Sequence, residues 1–144
     1  MIIMAIDYGK VRTGLALCDK KEILSFPLGT IQEKNPDLLC DKIAEKIKEN
    51  KAEFIVFGLP KNMDGSLGES AKNVQNLSEK LRSKVNIKID FWDERRTTVT
   101  AHEYLNATNT RGKKRKSIID TVSATIILEN YLNFRKANIK NTDL

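Results

Sequence analysis

The chain has 144 residues, of which 40% are hydrophobic and 31% charged, so it can form one globular domain with its own core. Its 25 Lys and Arg against 19 Asp and Glu give a net charge of +6, which favours a polyanionic partner without requiring one. No apolar stretch approaches the roughly 20 residues of a membrane span, and the two cysteines, Cys18 and Cys40, match neither a metal-binding spacing nor a disulfide framework. We therefore expect a cytoplasmic protein without membrane association.

The first predicted strand ends in an acid. Residues 2–6 are all apolar and lead directly into Asp7, and a glycine-containing turn with Lys10 and Arg12 follows. A continuous apolar run is typical of a strand buried on both faces, so Asp7 is expected at the carboxyl end of a central strand. A carboxylate there needs a cation or hydrogen-bond donors, and the two cations are suited to hold a phosphate. Alternatively, Asp7 only opens a hairpin turn with solvated cations.

Strands and helices are predicted to alternate along the rest of the chain. Apolar patterning predicts strands at 14–18, 23–31, 54–57 and 87–92. Helices are predicted at 35–50, with Asn35 as the cap, at 66–83, with Ser66 and Glu69 as a capping box, from 97 or 98 onward, and at 117–134.

This order of elements predicts an α/β fold. Its mixed five-stranded sheet combines an antiparallel three-strand meander with two parallel strands and is flanked by helices. We expect a single domain over residues 1–138 and a flexible tail over residues 139–144.

Two further acids lie where this sheet would bring them near Asp7. Glu94 follows the strand at 87–92, and Asp120 lies in a helix that is apolar around most of its circumference. Three carboxylates in one cleft repel one another, and a divalent ion reverses that repulsion. Oxygen ligands suit Mg²⁺ or Mn²⁺, and two such ions can activate water for attack on a phosphodiester. The pattern favours a metal-dependent nuclease.

Each acid also has a purely structural alternative. Glu94 could form a salt bridge with Arg95 or Arg96, and Asp120 could be a helix-start acid favoured by the helix dipole. The single histidine, His102, lies on a predicted surface helix and is expected to have no catalytic role.

Basic residues are expected to bind the substrate. Lys10, Arg12 and Arg95 lie near the acids and could hold phosphates beside a metal. A basic block in the predicted connection at 106–116 could follow a nucleic-acid backbone further out, or could be a solvated flexible loop. Its members include Lys113, Lys114, Arg115 and Lys116.

Four successive motifs resemble those of the YqgF family, in the same order and over nearly the whole chain. They are Asp7-Tyr8-Gly9-Lys10-Val11-Arg12-Thr13-Gly14-Leu15-Ala16, Gly58-Leu59-Pro60 with Asp64-Gly65-Ser66, Asp93-Glu94-Arg95 with Thr97-Thr98, and Lys116 with Ile119-Asp120. That family is described as pre-16S rRNA nucleases and Holliday junction resolvase-like proteins of the ribonuclease H-like fold.

The resemblance implies metal-dependent phosphodiester hydrolysis, with Asp7, Glu94 and Asp120 in the ligand positions. It also implies a bacterial cytoplasmic protein that matures the 5′ end of the small-subunit rRNA. Junction resolvases of this fold carry a further acid one turn after the helix acid, and here that position is Ser123. Two other functions stay open, a Holliday junction resolvase-like DNA endonuclease and a nucleic-acid-binding module without catalysis, as does the choice between monomer and homodimer.

Overall fold

The computed structural model describes the backbone of residues 1–96 and 112–142 and the side chains of residues 1–96 and 122–138. The strands are β1 (Ile3–Asp7), β2 (Arg12–Cys18), β3 (Ser25–Gln32), β4 (Phe54–Leu59) and β5 (Lys88–Asp93). The helices are α1 (Pro36–Asn50), α2 (Glu69–Arg82) and α3 (Gly112–Thr142), and a short 3-10 turn covers Glu94–Arg96. The predicted helix that starts at 97 or 98, including His102, lies outside the described residues.

The five strands form one mixed sheet in the order β3-β2-β1-β4-β5. The strands β1, β2 and β3 pair as an antiparallel meander, whereas β4 and β5 run parallel to β1. This confirms the predicted architecture. The pairings Ile6 with Phe57 and Gly58 with Trp92 show that the carboxyl ends of β1, β4 and β5 meet at the same edge of the sheet, where sites form in α/β folds.

Helices cover both faces of the sheet. On one face, Met4, Ile6 and Phe57 pack in a core shared with α1 and α2, and on the other Ile3 and Ala5 pack in a core shared with α3. All five side chains are completely buried. Because side chains alternate along a strand, the residue after Ile6 belongs to the α3 face, so the end of β1 directs its last side chain towards α3.

The predicted helix starts are confirmed for α1 and wrong for α2. Asn35 caps α1 by accepting hydrogen bonds from the backbone N–H of Asp37 and Leu38, at 2.9 and 3.2 Å. In α2 the cap position is Gly68, which provides no side-chain hydrogen bond. Ser66 instead donates its hydroxyl to Asp64 at 2.6 Å, because a turn just before the helix competes for that side chain.

Helix α3 is longer than the sequence predicts at both ends. It begins at Gly112 instead of 117 and runs to Thr142, so the prediction that 113–116 form a loop is wrong. Lys and Arg are good helix formers, and no proline or glycine follows Gly112, so the helix starts before its first core position. None of the helices in the described ranges is long and apolar enough to cross a membrane. The domain boundary at 138 stays a prediction.

Two polar contacts fix α3 on the sheet. The hydroxyl of Tyr131 donates a hydrogen bond of 2.7 Å to Asp90 in β5, and the Tyr131 ring packs edge-on against Trp92. Closer to the end of the helix, Arg135 donates to Glu22 in the β2–β3 turn at 2.7 Å. The helix is therefore held both at the β5 side of the sheet and at the meander.

Removing the Tyr131 hydroxyl is expected to loosen this attachment. We expect Tyr131→Phe to lower the free energy of unfolding by about 1 kcal/mol, because one hydrogen bond is lost while the exposed carboxylate of Asp90 stays hydrated. Urea unfolding would show a lower midpoint with an unchanged slope. Tyr8→Phe is the matched control, since the Tyr8 hydroxyl makes no hydrogen bond to the described residues; equal midpoints for the two variants would contradict the prediction.

Candidate metal-binding acidic site

Asp7 ends the central strand of the sheet, as the sequence predicts. It lies half-buried, with Gly14 of β2 as its pairing partner, and its strand pairs with β4 on the other side. The alternative prediction, that Asp7 opens a hairpin turn, is also correct for the backbone, because a tight turn joins β1 to the antiparallel strand β2. A Cβ on Gly9 would collide with the carbonyl oxygen of Arg12, so the turn requires glycine there. Lys10 is exposed in this turn, next to the end of β1.

The Glu94 carboxylate lies against Gly58 at the end of β4. A Cβ built on Gly58 would be 2.7 Å from Oε1 of Glu94 and 2.5 Å from Cδ1 of Ile127 in α3. The missing side chain of Gly58 thus leaves the space that the carboxylate occupies. Continuing the pairing of Ile6 with Phe57 by one residue sets Asp7 beside Gly58 on the α3 face. The structure therefore brings two of the three predicted acids to one edge of the sheet.

Glu94 has no compensating partner among the described residues, whose contacts include no hydrogen bond or salt bridge to its carboxylate. Burial, and secondarily the charge of Asp93, raise the pKa of Glu94 above its ordinary value. The alternative of a salt bridge with Arg95 or Arg96 is wrong, because Arg95 pairs with Asp93 and Arg96 stacks on the Trp92 ring, 4.5 Å from its centre. A half-buried carboxylate of this kind is the group that a bound cation stabilises.

Arg95 is held by protein groups. Its guanidinium donates to both carboxylate oxygens of Asp93, with Nη2 at 2.7 Å from Oδ2, and to the carbonyl oxygen of Met63 at 3.3 Å. These hydrogen bonds lower the pKa of Asp93 to about 2. The predicted role of Arg95 in phosphate binding stays a prediction.

The third predicted acid is placed only by its backbone. Asp120 lies in α3, four residues before Ala124, and the same helical spacing continues to Ile127 and Tyr131, which are buried with Ala124 in the core on the α3 face of the sheet. Its side chain is outside the described residues, and among the side chains of 1–96 and 122–138 no three His, Cys, Asp or Glu residues cluster as a metal site. The side chains of the basic block also lie outside the described residues, so their predicted substrate contacts stay a prediction. These residues are Lys113, Lys114, Arg115 and Lys116.

The donors that the structure does place fit a hard divalent cation. Asp7 and Glu94 offer carboxylate oxygens only, with no sulfur or nitrogen ligand among them, and this favours Mg²⁺ or Mn²⁺ over zinc. Sequence reasoning included Gly58 in a family motif but did not identify it as the residue that leaves space for the Glu94 carboxylate. The available signal was a glycine that continues an apolar strand, since such a position often marks a close approach of another group.

A protein-family model and named relatives match this chain over nearly its full length. The family model described as "RuvX: Holliday junction resolvase" matches residues 1–134. A Clostridium botulinum protein named "Putative pre-16S rRNA nuclease" is 37% identical over 92% of this chain and 97% of its own length. Proteins with the same name from Halothermothrix orenii and Desulforudis audaxviator are 38% and 33% identical, covering 94% and 99% of this chain and 96% and 100% of theirs.

Solved structures are similar in fold. The RuvC of T. thermophilus in complex with a Holliday junction substrate superposes with a TM-score of 0.62 and 10% identity, over 93% of this chain and 96% of that chain. The Fowlpox virus resolvase in complex with Holliday junction DNA gives a TM-score of 0.58 and 9% identity, over 92% and 97%. At such low identity these matches show the fold alone, and they confirm the ribonuclease H-like class.

A methyl group at Gly58 is expected to displace the Glu94 carboxylate. We expect Gly58→Ala to reduce cleavage of nucleic acid about 100-fold, as small misplacements of a catalytic group do, and to destabilise the fold by about 1–3 kcal/mol through overpacking. The checks are cleavage rate and urea unfolding of the same preparation.

Ile127→Val separates the two effects, because it removes the Cδ1 atom that lies 2.5 Å from the added methyl. In the double variant we expect stability to recover in part and cleavage to stay low, since the contact with Glu94 remains. Recovery of both together would show that Glu94 placement is not what Gly58 controls.

Proposed function

The chain belongs to the RuvX family, for which YqgF is a second name, and we propose on this basis that it is a metal-dependent nuclease of pre-16S rRNA 5′-end maturation. The resemblance drawn from its four motifs is confirmed. The geometric observation that carries the proposal is the Glu94 carboxylate, which lies beside Gly58 at the end of β4 and meets no hydrogen-bond or salt-bridge partner among the described residues. A partly buried carboxylate without a cation destabilises the fold, whereas a bound metal ion would compensate its charge.

In this proposal Asp7, Glu94 and Asp120 hold Mg²⁺ or Mn²⁺. The bound ions would supply an activated water and stabilise the leaving oxygen of the phosphodiester. Lys10, exposed in the β1–β2 turn, and Arg12, half-buried at the start of β2, would hold phosphate oxygens of the substrate near Asp7. The Glu94 carboxylate occupies the space beside Gly58, next to Ile127 of α3, and a carboxylate held in this way would need little reorganisation during the reaction.

A junction-resolving DNA endonuclease is the second candidate, because the family model carries that description. Ser123, which takes the place of a further acid one turn after Asp120, leaves fewer ligands than such enzymes are expected to have. In either case we propose a partner that is nucleic acid, a protein that works in the cytoplasm without membrane association, and a monomer or homodimer. A binding module without catalysis is the remaining alternative.

Neutralising Asp7 is expected to abolish cleavage. We expect Asp7→Asn to slow cutting of end-labelled precursor rRNA at least about 1000-fold with Mg²⁺ or Mn²⁺, since several kcal/mol of transition-state stabilisation are lost with a ligand. A four-way DNA junction assayed in parallel separates the two candidate substrates. Asp41→Asn, an exposed carboxylate on α1, is the control and should cut normally. Equal rates for Asp7→Asn and wild type, or salt-sensitive binding without any cutting, would overturn the nuclease proposal.

Reversing charge in the basic block is expected to weaken binding uniformly across sequences. For Lys113→Glu, Lys114→Glu and Lys116→Glu combined, we expect the slope of log affinity against log salt to flatten by about 0.7–0.9 for each lost phosphate contact. The measurement is fluorescence anisotropy of a labelled oligonucleotide in EDTA. The matched triple Lys20→Glu, Lys21→Glu and Lys48→Glu makes the same change in net charge with exposed lysines at the other end of the strands, and should keep the wild-type slope. Identical slopes for the two triple variants would show that the basic block does not contact the nucleic acid and is only a solvated segment.

A further inference from the structure

The loop between β4 and α2, residues 60–68, has a fixed backbone. The N–H of Asn62 donates to the carbonyl of Ser66 at 3.0 Å, and the N–H of Gly65 donates to the carbonyl of Asn62 at 2.9 Å. Lys61 and Leu67 form an antiparallel bridge that closes the base of the loop. These bonds make the β4–α2 loop a small closed turn.

Side chains strengthen the same turn. The carboxylate of Asp64 accepts hydrogen bonds from the Ser66 N–H and hydroxyl, at 2.9 and 2.6 Å, and the Asn62 amide donates to the Ser66 hydroxyl at 3.0 Å. Gly65 has a φ of +88°, a conformation that a residue with a side chain would adopt only with strain. The loop is therefore preorganised, and a ligand that binds it pays little conformational entropy.

Arg95 ties this loop to the acidic site. Its guanidinium is clamped on Asp93 at the end of β5 and donates to the carbonyl oxygen of Met63, 3.3 Å away. Asp93 directly precedes Glu94, and the loop leaves β4 just after Gly58, where the Glu94 carboxylate lies. The pair Asp93 and Arg95 thus sets the position of the loop relative to the candidate metal ligands.

The Met63 side chain stands at the tip of the loop and is 94% exposed, more than any other exposed large apolar residue among those described; the next is Leu24 at 65%. A single exposed apolar side chain needs no explanation by itself. Here, however, the Met63 carbonyl accepts a hydrogen bond from Arg95, and the preceding residue Asn62 is hydrogen-bonded to Gly65 and Ser66, so the backbone is held while the side chain stays exposed. Methionine is unbranched and polarisable, and apolar side chains of this kind enter between bases of nucleic acids.

We propose that Met63 contacts an unstacked base of the nucleic acid. In this proposal Asp93 and Arg95 are positioning residues, because they hold the loop that carries Met63. The proposal rests on the proposed function only in taking nucleic acid as the partner. It assigns a substrate class, namely a strand whose bases can unstack where it passes the β4–α2 loop, such as a single strand or the border between single strand and duplex, in preference to continuous duplex.

The test uses the full chain in EDTA, which removes divalent metal ions, so that contact with bases is measured without cleavage. Single-stranded RNA oligonucleotides carrying 2-aminopurine at successive positions report unstacking as a rise in fluorescence, and anisotropy of the same complexes gives affinity. We expect a fluorescence rise at one or two adjacent positions with wild type. For Met63→Ala we expect that rise to disappear and affinity to fall about fivefold, the loss of one thioether contact with an aromatic base.

Ile23→Ala is the matched control, since Ile23 is also an exposed apolar residue, at 60%, but lies in the β2–β3 turn at the opposite end of the strands from Asp7. It should keep both the fluorescence rise and the affinity. No rise at any position with wild type, or a full rise with Met63→Ala, would overturn the proposal.

Two further variants separate positioning from phosphate binding. Asp93→Asn leaves the Arg95 charge in place but removes its clamp, and Arg95→Lys keeps a cation without the paired hydrogen bonds. We expect both to lose most of the fluorescence rise while the salt dependence of binding stays unchanged. A preserved rise in both variants would show that Arg95 does not position the loop.

Failure of this proposal and failure of the nuclease proposal give different results. If Met63→Ala keeps the fluorescence rise while Asp7→Asn abolishes cleavage, only the base contact is refuted. If Met63→Ala loses the rise while the wild-type chain cuts no substrate with either metal, the base contact stands and the nuclease proposal fails.

Discussion

The site depends on one steric fact: β4 has no side chain at Gly58, and the Glu94 carboxylate occupies the space beside it. A methyl group there would come within 3 Å of both the Glu94 carboxylate and the Ile127 side chain, so one or both of these side chains would have to move. The contact fixes a charged group at the carboxyl edge of the sheet, beside the end of the central strand. Close packing here holds in place a half-buried carboxylate that has no partner among residues 1–96 and 122–138.

The neighbouring acids Asp93 and Glu94 have opposite environments. Arg95 hydrogen-bonds Asp93 and lowers its pKa to about 2, whereas burial raises the pKa of Glu94. The arginine that could have neutralised Glu94 is therefore committed to the residue beside it and to the β4–α2 loop. Asp93 is therefore neutralised by a neighbouring arginine, whereas Glu94 meets no cationic side chain among the described residues.

Helix α3 completes the site from the opposite side. Its contacts with Asp90 and Glu22 anchor it to β5 and to the β2–β3 turn, which lie at the two sides of the sheet. One helical turn before the first of these anchors, Ile127 packs near Gly58, and the same stripe of the helix carries position 120. The helix thereby links the stability of the α3 core to the geometry of the acidic edge, and so a loss in one is expected to affect the other.

The sequence by itself determined the order of the strands, the mixed sheet, the Asn35 cap and the end of β1 at Asp7, because apolar periodicity and capping are local signals. It also identified the family through four motifs. The tertiary structure alone decided that Arg95 pairs with Asp93 and not with Glu94, that Gly58 makes room for an acid, that Ser66 closes a turn instead of capping α2, and that α3 starts at Gly112. These outcomes depend on which groups meet across the sheet and on which of several possible partners each side chain takes, and a one-dimensional pattern does not record either.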